Sequence, residues 1–455
     1  MTMMSNPVSQ LREIASSPDP RVQALRAVHR AAAELRRGTP VLVRGPEGTL
    51  IAAAAETVST RGLAEIAVAA RAPAVLLLAT TRAAAVLQRP VPQSAAETDA
   101  AALRLPPALL APAALRSLAD PTAERLLPAE PERAPVPAGA AAALSLAKLA
   151  RLLPALAAAP AADPAAARLD LLGVEAAAIL DYPTGAATSL TRVAEAQVPL
   201  EDAPEARIVA FRAADGGIEH LAILVGQPEI ALTEGRAPLA RIHSECFTGD
   251  LLGSLRCDCG PQLRGAIKRM AADPAGGVLL YLAQEGRGIG LVNKLRAYTL
   301  QDSGLDTLDA NRALGYGADE RQFWVAGEML RAVGIGRVRL LTNNPDKIGV
   351  SGDDGQALRA SAGLSGQQSF FVPSDASCRR HASGATRRLR RLGFAARRPR
   401  PAGIAHGRRA AFAAACRRHA ACCGPAVQPE RRRMFVTPIP TAASPRPAAG
   451  EPQPV

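Results

Sequence analysis

The sequence predicts an α/β protein with two domains, followed by a basic tail that lacks regular structure. Three observations lead to this prediction. Short apolar runs alternate with segments of helical periodicity through 21–90 and again through 206–343. The length of 455 residues exceeds what a single core of about 250–300 residues supports. Beyond residue 350 lysine disappears and arginine carries all the basic charge.

The first domain is expected over 21–190, after a disordered N-terminus at 1–20. Apolar residues repeat at helical spacing from Val22 to Leu35, and Gly38 ends that helix. The elements that follow are strands at 39–43 and 49–56 joined by a turn at 45–48, a helix at about 60–71, a strand at 74–80 and a helix at about 81–88.

Residues 91–170 are rich in alanine, proline and leucine and contain few aromatic or β-branched residues. We expect short helices there, interrupted by prolines, and no residue that carries chemistry. The longest apolar stretch, 140–160, contains Lys148, Arg151 and Pro154. It is too short and too charged to predict a membrane span.

The second domain is expected over 193–348. Strands at 206–213 and 218–226 flank Asp215-Gly216-Gly217, which is typical of a hairpin turn. The elements after it are a helix at about 261–272, a strand at 278–283, helices at 288–302 and 319–333, the second capped by Asp319, and a strand at 337–343. This alternation predicts an α/β sandwich with its site at the strand ends.

Residues 241–260 read RIHSECFTGDLLGSLRCDCG and contain every cysteine of the first 350 residues, Cys246, Cys257 and Cys259. Thiolates are ligands that zinc prefers, and three protein ligands leave a fourth position for water, as in catalytic zinc sites. The alternative is three reduced thiols without a metal, but packing explains Cys-Asp-Cys beside a glycine poorly. The segment therefore predicts one catalytic zinc ion per chain.

Three further segments follow in order: QEGRGIGLVNKLRAY at 284–298, LDTLDANRALGYGADERQF at 305–323 and LLTNNPDK at 340–347. Together with the cysteine segment they resemble GTP cyclohydrolase II, the enzyme that opens riboflavin biosynthesis. The resemblance runs from about Val193 to Lys347. It implies hydrolytic opening of the imidazole ring of GTP, giving 2,5-diamino-6-(5-phosphoribosylamino)pyrimidin-4(3H)-one, formate and pyrophosphate.

The resemblance also implies a role for each matching residue. The three cysteines correspond to the zinc ligands, and Tyr298 to a tyrosine near the zinc-bound water. Asp319 corresponds to a proton acceptor and Arg321 to a nucleophile toward the α-phosphorus. Because guanidinium is almost always protonated, stabilisation of phosphate charge is the alternative role for Arg321. The residues that match GTP-contacting positions are Arg241, His243, Ser244, Glu245, Gln262, Glu285, Gly286, Arg287, Thr307, Thr342 and Lys347.

Two features of the implied GTP site leave alternatives open. Gly286, Gly288 and Gly290 would let the backbone approach phosphates, but such glycines are also common in strand-to-helix turns. A carboxylate can accept from the N1–H and 2-amino groups of guanine, and the sequence does not distinguish Glu245 from Glu285. Mg²⁺ is expected on the triphosphate.

The first domain resembles 3,4-dihydroxy-2-butanone 4-phosphate synthase, which is often fused ahead of GTP cyclohydrolase II. In that family the turn after the first strand carries several acidic residues that bind magnesium and the sugar phosphate. Here the turn RGPEGTL at 44–50 has Glu47 as its only acid, and hard cations need several oxygen ligands. We therefore expect a degenerate relative without synthase activity. An α/β domain of no particular ancestry is the alternative.

The net charge of +13 belongs to the tail, because 351–455 contains 18 arginines and only 5 acidic residues. The interpretations of 349–455 are an Arg-rich nucleic-acid tail, a Cys/His metal cluster or disorder. The cysteine spacing fits no zinc finger, and we predict disorder. Since the family segments stop at Lys347, we also predict that a shifted reading frame produced this tail.

The sequence favours an enzyme over a catalytically inactive regulatory or nucleic-acid-binding relative that uses the basic tail, since the implied catalytic residues are all present. The expected partners are GTP and a second copy of the chain in a homodimer, with no membrane and no specific nucleic acid. No secretion signal is recognised, and reduced thiols suit a cytoplasmic location.

Overall fold

The computed structural model describes residues 19–88, 90, 100–124, 130–162, 167–342, 359–361 and 368–371. All of these lie in one compact unit. Their strands form two sheets, one of seven strands and one of eight, with helices on the sheet faces. The α/β class and the division into two sheets agree with the prediction. No helix among these residues is long and apolar enough to cross a membrane.

The first sheet contains β1 (Val41–Gly45), β2 (Gly48–Ala54), β3 (Val75–Ala79), β4 (Ala100–Arg104), β5 (Glu132–Ala134), β6 (Ala155–Pro160) and β7 (Gly173–Glu175). The strand order is β5-β4-β3-β6-β2-β1-β7, antiparallel except for the parallel pair β1–β7. The helices of this part are α1 (Pro20–Arg37), α2 (Thr60–Ala69), α3 (Thr80–Leu87), α4 (Pro112–Ala119), α5 (Ala140–Leu149) and α6 (Ala176–Thr188).

Local signals in the first 90 residues give the elements that we predicted. The side chain of Asp19 accepts from the backbone N–H of Arg21 at 2.8 Å and caps α1. Gly38 ends the helix in the left-handed conformation, with φ of 81°. The hairpin β1–β2 turns between Gly45 and Gly48, as the turn signal indicated.

The short helices expected over 91–170 are present as α4 and α5, but the prediction missed the strands β4, β5 and β6, which lie there too. Strand β6 reads ALAAAP and pairs with β2 and β3 in the middle of the sheet. Alanine is not a strong strand former, but burial between neighbouring strands outweighs propensity. Ala158 of β6 packs in one buried cluster with Ala143 and Leu146 of α5. Small side chains therefore allow helix and sheet to approach closely.

The second sheet contains β8 (Thr191–Gln197), β9 (Arg207–Arg212), β10 (His220–Val225), β11 (Leu239–Ser244), β12 (Gly277–Leu282), β13 (Arg337–Leu340), β14 (Arg359–Ser361) and β15 (Gln368–Phe371). Its order is β14-β15-β13-β11-β12-β10-β9-β8, and β11 runs parallel to both β12 and β13. The helices are α7 (Pro228–Thr233), α8 (Cys259–Ala271), α9 (Leu291–Asp302), α10 (Thr307–Ala313) and α11 (Trp324–Ala332).

The parallel pair β11–β12 determines where the site forms. Both strands end at the same edge of the sheet, because Ser244 is in register with Leu282. The cysteine segment follows β11, and the loop that begins at Gln284 follows β12. The two segments therefore leave the sheet side by side, as expected for a site at strand ends.

Two predictions for the second half need correction. The helix expected at 319–333 begins at Trp324, and Asp319 caps no helix; its carboxylate forms an ion pair with Arg321 instead. In the tail expected to be disordered from 349, β14 and β15 extend the sheet beyond β13. The rest of that tail lies outside the described residues.

Candidate active site

A cavity of about 1040 Å³ opens at the ends of β11 and β12. It brings together segments that are up to 80 residues apart in the chain. Thr342 follows β13 and does not line this cavity, and Lys347 lies outside the described residues. The predicted site residues that line it are Arg241, His243, Ser244, Glu245, Cys246, Cys257, Cys259, Gln262, Glu285, Gly286, Arg287, Tyr298, Thr307, Asp319 and Arg321.

The three cysteines converge in the wall of this cavity, with their sulfur atoms all within 4.8 Å of one another. The Sγ atoms of Cys246 and Cys257 are 3.6 Å apart. Zinc–sulfur bonds of about 2.3 Å in a tetrahedron place two sulfur ligands about 3.8 Å apart. A Cβ at Gly249 would lie 2.6 Å from Cys257 Sγ, so a glycine is needed where the turn covers the thiols. This donor set fits a metal ion.

The electrostatics of the thiols also favour a cation among them. Burial raises the pKa of Cys246, but Lys294 and the Gly249 N–H outweigh it and hold the pKa below its usual value. Burial and the neighbouring Cys246 and Cys257 raise the pKa of Cys259 strongly. Three adjacent thiolates repel one another, and a bound cation relieves that repulsion.

Lys294 is the main residue of the site that the sequence analysis missed. Its ammonium lies 3.0 Å from Cys246 Sγ, 3.0 Å from Thr248 Oγ1 and 2.8 Å from Glu285 Oε1, and the side chain is buried. Burial lowers the pKa of Lys294, but Glu285 and Cys246 raise it above the usual value, so the ammonium stays charged. A signal existed, because Lys294 precedes Tyr298 by four residues and shares its helix face.

Asp250 organises the opposite wall of the cysteine cluster. Its carboxylate accepts from the Cys246 N–H at 3.0 Å and from the Tyr281 hydroxyl at 2.9 Å. The same group contacts His243 Nε2 at 3.1 Å, and the His243 ring stacks on Tyr281. Burial raises the pKa of Asp250, but His243 and the other donors bring it below its usual value. His243 is thus held in the wall by Asp250 and Tyr281.

Glu245 and Glu285, the two carboxylates that could read guanine, differ in the hydrogen bonds that they already accept. Glu285 accepts from Lys294, from the Gly286 N–H at 2.8 Å and from the Phe247 N–H at 2.6 Å. The Glu245 carboxylate has no hydrogen-bond partner in the part of the chain that the structure describes. Burial and the charge of Glu285 raise the pKa of Glu245. Glu245 therefore has the free acceptor capacity.

Two buried polar atoms in the cavity wall have no partner among the described residues. They are Arg241 Nε and Ser244 Oγ. The other end of Arg241 donates to Gln262, which in turn donates to Asp258. Burial lowers the pKa of Arg241, and Asp258 and Cys259 oppose that effect. Unsatisfied buried polar atoms are costly, so these two indicate a ligand that contacts them.

Asp319 and Arg321 form a close ion pair at the cavity rim. Arg321 Nε lies 2.8 Å from Asp319 Oδ1, and its Nη2 lies 2.5 Å from Oδ2. Burial raises the pKa of Asp319, but Arg321 outweighs it and lowers the pKa below the usual value. The guanidinium also stacks over Phe323, 4.8 Å from the ring centre. The Asp319 carboxylate is therefore ionised, and Arg321 lies between it and the Phe323 ring.

Of the three glycines in the loop after β12, only one lies where its backbone could approach a phosphate in the cavity. Gly286 lines the cavity with φ of 64°. A Cβ at Gly288 would lie 2.9 Å from the Glu320 carbonyl oxygen, and one at Gly290 would lie 3.1 Å from Arg151 Cβ. Both also have positive φ. Gly288 and Gly290 thus allow close contact with other parts of the protein, whereas only Gly286 faces the cavity.

Tyr298 lies on α9 between two cations. The Arg256 guanidinium is 5.0 Å from the ring centre, and Lys294 Nζ is 5.8 Å from it. Arg256 is itself held by Asp302 at 2.6 Å. The ring therefore lies against the charged wall that also contains the thiols.

Comparisons with known proteins identify the family to which this chain is similar. A sequence model of the GTP cyclohydrolase II family matches residues 191–353. The GTP cyclohydrolase-2 of Azospirillum brasilense is 49% identical over 344 residues, which cover 71% of this chain and 84% of that protein. The GTP cyclohydrolase-2 of Xylella fastidiosa (strain Temecula1 / ATCC 700964) is 40% identical over 328 residues, which cover 70% of this chain and 76% of that protein. The similarity to both relatives therefore extends well outside 191–353.

Other matches are shorter or more distant. The GTP cyclohydrolase-2 of Pasteurella multocida is 52% identical over 159 residues, which cover 35% of this chain and 70% of that protein. Among solved structures, a two-domain 3,4-dihydroxy-2-butanone 4-phosphate synthase from A. baumannii aligns with a TM-score of 0.29 and 17% identity. It covers 72% of this chain and 97% of that chain.

Proposed function

Because this chain belongs to the GTP cyclohydrolase II family, we propose that it opens the imidazole ring of GTP by hydrolysis, with release of formate and pyrophosphate. The observation that carries the proposal is the cluster of three thiols in the wall of a cavity large enough for a nucleotide. The cavity also contains Lys294, Tyr298, Asp319 and Arg321. A complete set of catalytic side chains around one cavity favours an active enzyme over an inactive relative.

We assign Cys246, Cys257 and Cys259 as the residues that hold one Zn²⁺ ion. When bound, zinc supplies a water of pKa near 7, and thus hydroxide for attack at C8 of the guanine. Lys294 and the Gly249 N–H stabilise the thiolate of Cys246. A Mg²⁺ ion is expected on the triphosphate, as in most nucleotide sites.

Glu245 is the carboxylate that we expect to read the guanine base. Its oxygens are free to accept from N1–H and the 2-amino group, whereas Glu285 already accepts from Lys294 and two backbone donors. We expect Arg241 Nε and Ser244 Oγ, which have no partner among the described residues, to contact the same nucleotide. Gln262 then orients Arg241 through its hydrogen bond.

Arg321 is proposed to stabilise charge on the phosphates. Its close contact with the Asp319 carboxylate is favourable with a protonated guanidinium, which has no free electron pair for attack on phosphorus. The geometry therefore supports the electrostatic role over the nucleophilic one. On the basis of the family resemblance, Arg287 and Lys347 are proposed as further phosphate contacts, and Thr307 as a further contact to GTP.

Tyr298 is proposed to orient or protonate the opening ring, since it lines the cavity on the same helix face as Lys294. We further propose two domains, 21–190 and 193–348, with no synthase activity in the first. A homodimer, a cytoplasmic location and the absence of a specific nucleic-acid partner are proposals that rest on the sequence alone.

The decisive experiment is incubation of the purified protein with GTP, Zn²⁺ and Mg²⁺ while formate and pyrophosphate are measured. We expect about one zinc per chain, and we expect Cys257→Ser to lose both the zinc and formate release. Cys378→Ser, a cysteine outside the cluster, is the matched control and should behave like the parent protein. Formate release by protein that metal analysis shows to be free of zinc would contradict the assignment, and no formate from zinc-loaded protein would contradict the function.

A further inference from the structure

Helix α9, which carries Lys294 and Tyr298, shares a hydrophobic core with the first sheet. Ala297 of this helix, together with Ile289 and Tyr316 beside it, belongs to one buried cluster with Leu78 and Leu115 of the N-terminal part. The Tyr316 hydroxyl donates to the Leu152 carbonyl oxygen at 2.6 Å, and the tyrosine is almost completely buried. The site helix therefore lies between the GTP cavity and the N-terminal sheet.

Arg296 on α9 binds two carboxylates of the N-terminal part across this interface. Arg296 Nε donates to Asp120 at 2.8 Å, its Nη2 donates to Glu56 at 2.9 Å, and its Nη1 donates to Asn293 at 2.7 Å. All of these side chains are mostly buried. Burial lowers the pKa of Arg296, but the two carboxylates outweigh it and raise the pKa. We call Arg296, Glu56, Asp120 and Asn293 the Arg296 clamp.

A second polar contact reaches the loop that carries Asp319 and Arg321. Lys148 Nζ lies 2.6 Å from Glu320 Oε1, and the Gly317 N–H donates to the same oxygen at 2.6 Å. The Glu320 N–H donates to the Arg287 carbonyl oxygen at 3.0 Å. We call the pair Lys148–Glu320 the Glu320 link. It ties the phosphate side of the cavity to helix α5 of the N-terminal part.

We propose that the N-terminal domain is a positioning scaffold for the cyclohydrolase site, acting through these two contacts. The Arg296 clamp fixes the helix that presents Lys294 and Tyr298, and the Glu320 link fixes the loop that presents Asp319 and Arg321. Glu56, Asp120 and Lys148 do not line the cavity, so they are positioning residues. Region 91–170, where the sequence suggested no chemistry, thus supplies two of the three.

The two contacts should affect different products, because they hold different halves of the site. A displacement of about 1 Å at a catalytic group costs up to about 10²-fold in rate. Loosening the clamp displaces Tyr298, so formate release should fall while pyrophosphate release persists in part. Loosening the link displaces Arg321, so both products should fall together. A role in stability alone would lower the amount of folded protein without changing the formate-to-pyrophosphate ratio.

The experiment compares Asp120→Asn and Glu56→Gln, which keep side-chain shape, with Lys148→Met and the parent protein. We expect kcat for formate to fall about tenfold or more in the two clamp variants, with zinc content and the KM for GTP near the parent values. Asp120→Glu, which retains the charge, should recover part of the rate. Glu65→Gln, which loses an exposed pair with Arg61 on the same domain, is the matched control.

The scaffold role rests on the proposed function, and different results would contradict each of them. A parent protein that releases no formate contradicts the function itself. An active parent with clamp variants of unchanged formate-to-pyrophosphate ratio overturns the scaffold. Should Glu56→Gln fail to fold, because it also loses its contact with the Leu153 N–H, Asp120→Asn decides the matter, since the Glu56 contact to Arg296 remains there.

Discussion

Replacement of Lys294 by methionine is the most informative single change in this protein. Met has a similar length and no charge, so Lys294→Met removes the ammonium and leaves most of the packing in place. The change deprives the Glu285 carboxylate and the Cys246 thiol of their shared cation. Since the side chains of Lys294 and Glu285 are only 10% and 4% exposed, water cannot replace the lost partner easily.

The contacts of Glu285 determine the expected magnitude. Removing one partner of a buried ion pair costs about 3–5 kcal/mol when the other charge is left without compensation. Here Glu285 keeps the Gly286 and Phe247 N–H groups at 2.8 Å and 2.6 Å, which stabilise its charge in part. We therefore expect the free energy of unfolding to fall by about 2–3 kcal/mol.

The measurement is urea unfolding of the zinc-loaded protein from pH 6 to pH 11. The pKa of Lys294 is raised above its usual 10.5 in the folded state. Its stabilisation is therefore complete below about pH 10.5 and is lost as the pH rises through the folded pKa. The difference between parent and variant should be constant near neutral pH and shrink at the alkaline end.

Lys268→Met is the matched control, because that ammonium is exposed and lies 3.8 Å from Asp202. Its effect should stay below about 0.5 kcal/mol. Equal effects of the two variants at neutral pH would refute the reasoning that Lys294 is the counter-ion of a buried anionic cluster. A difference that grows between pH 8 and pH 11 would refute the ionisation argument.

The remaining predictions concern the two products, the N-terminal domain and the tail. Tyr298→Phe should lower formate release by about 10²–10⁴-fold yet retain some pyrophosphate release, whereas Arg321→Ala should lose both; equal loss in the tyrosine variant speaks against the assignment. Because Glu47 is the only acid in its turn, the protein should not convert ribulose 5-phosphate with Mg²⁺, and any dihydroxybutanone phosphate formed would overturn this. Translation of the coding DNA in the other two frames past codon 347 should reveal the family's closing segment, with Asn/His and Tyr-Leu-Thr-Lys; if neither frame contains it, the frameshift explanation fails.

The sequence by itself determined the features that depend on local signals. Asp19 and Gly38 fix the ends of α1 through their own backbone hydrogen bonds and left-handed geometry. The Asp215-Gly216-Gly217 signal marks the connection between β9 and β10, which pair antiparallel. The spacing of Cys246, Cys257 and Cys259 indicates a metal site, because few other arrangements explain three such thiols.

Only the tertiary structure decided the features that depend on long-range contacts. The alanine-rich β6 is a central strand because it is buried between β2 and β3, which no local propensity reveals. Asp319 pairs with Arg321 rather than capping a helix, since the chain turns at the cavity rim before α11 begins. The free acceptor of Glu245 became evident only when the donors around Glu285 were known.

The contacts of Arg296 with Glu56 and Asp120 show most clearly what the sequence alone could not predict. Arg296 is 240 residues from Glu56 and 176 from Asp120, and neither acidic residue belongs to a sequence segment that pointed to a role. A charged residue in an amphipathic helix is usually solvated, so its sequence carries no sign of burial. The fold packs α9 against the first sheet, and that packing leaves the Arg296 side chain only 17% exposed. The physical reason is that burial, unlike helix capping or turn geometry, is a property of the assembled chain.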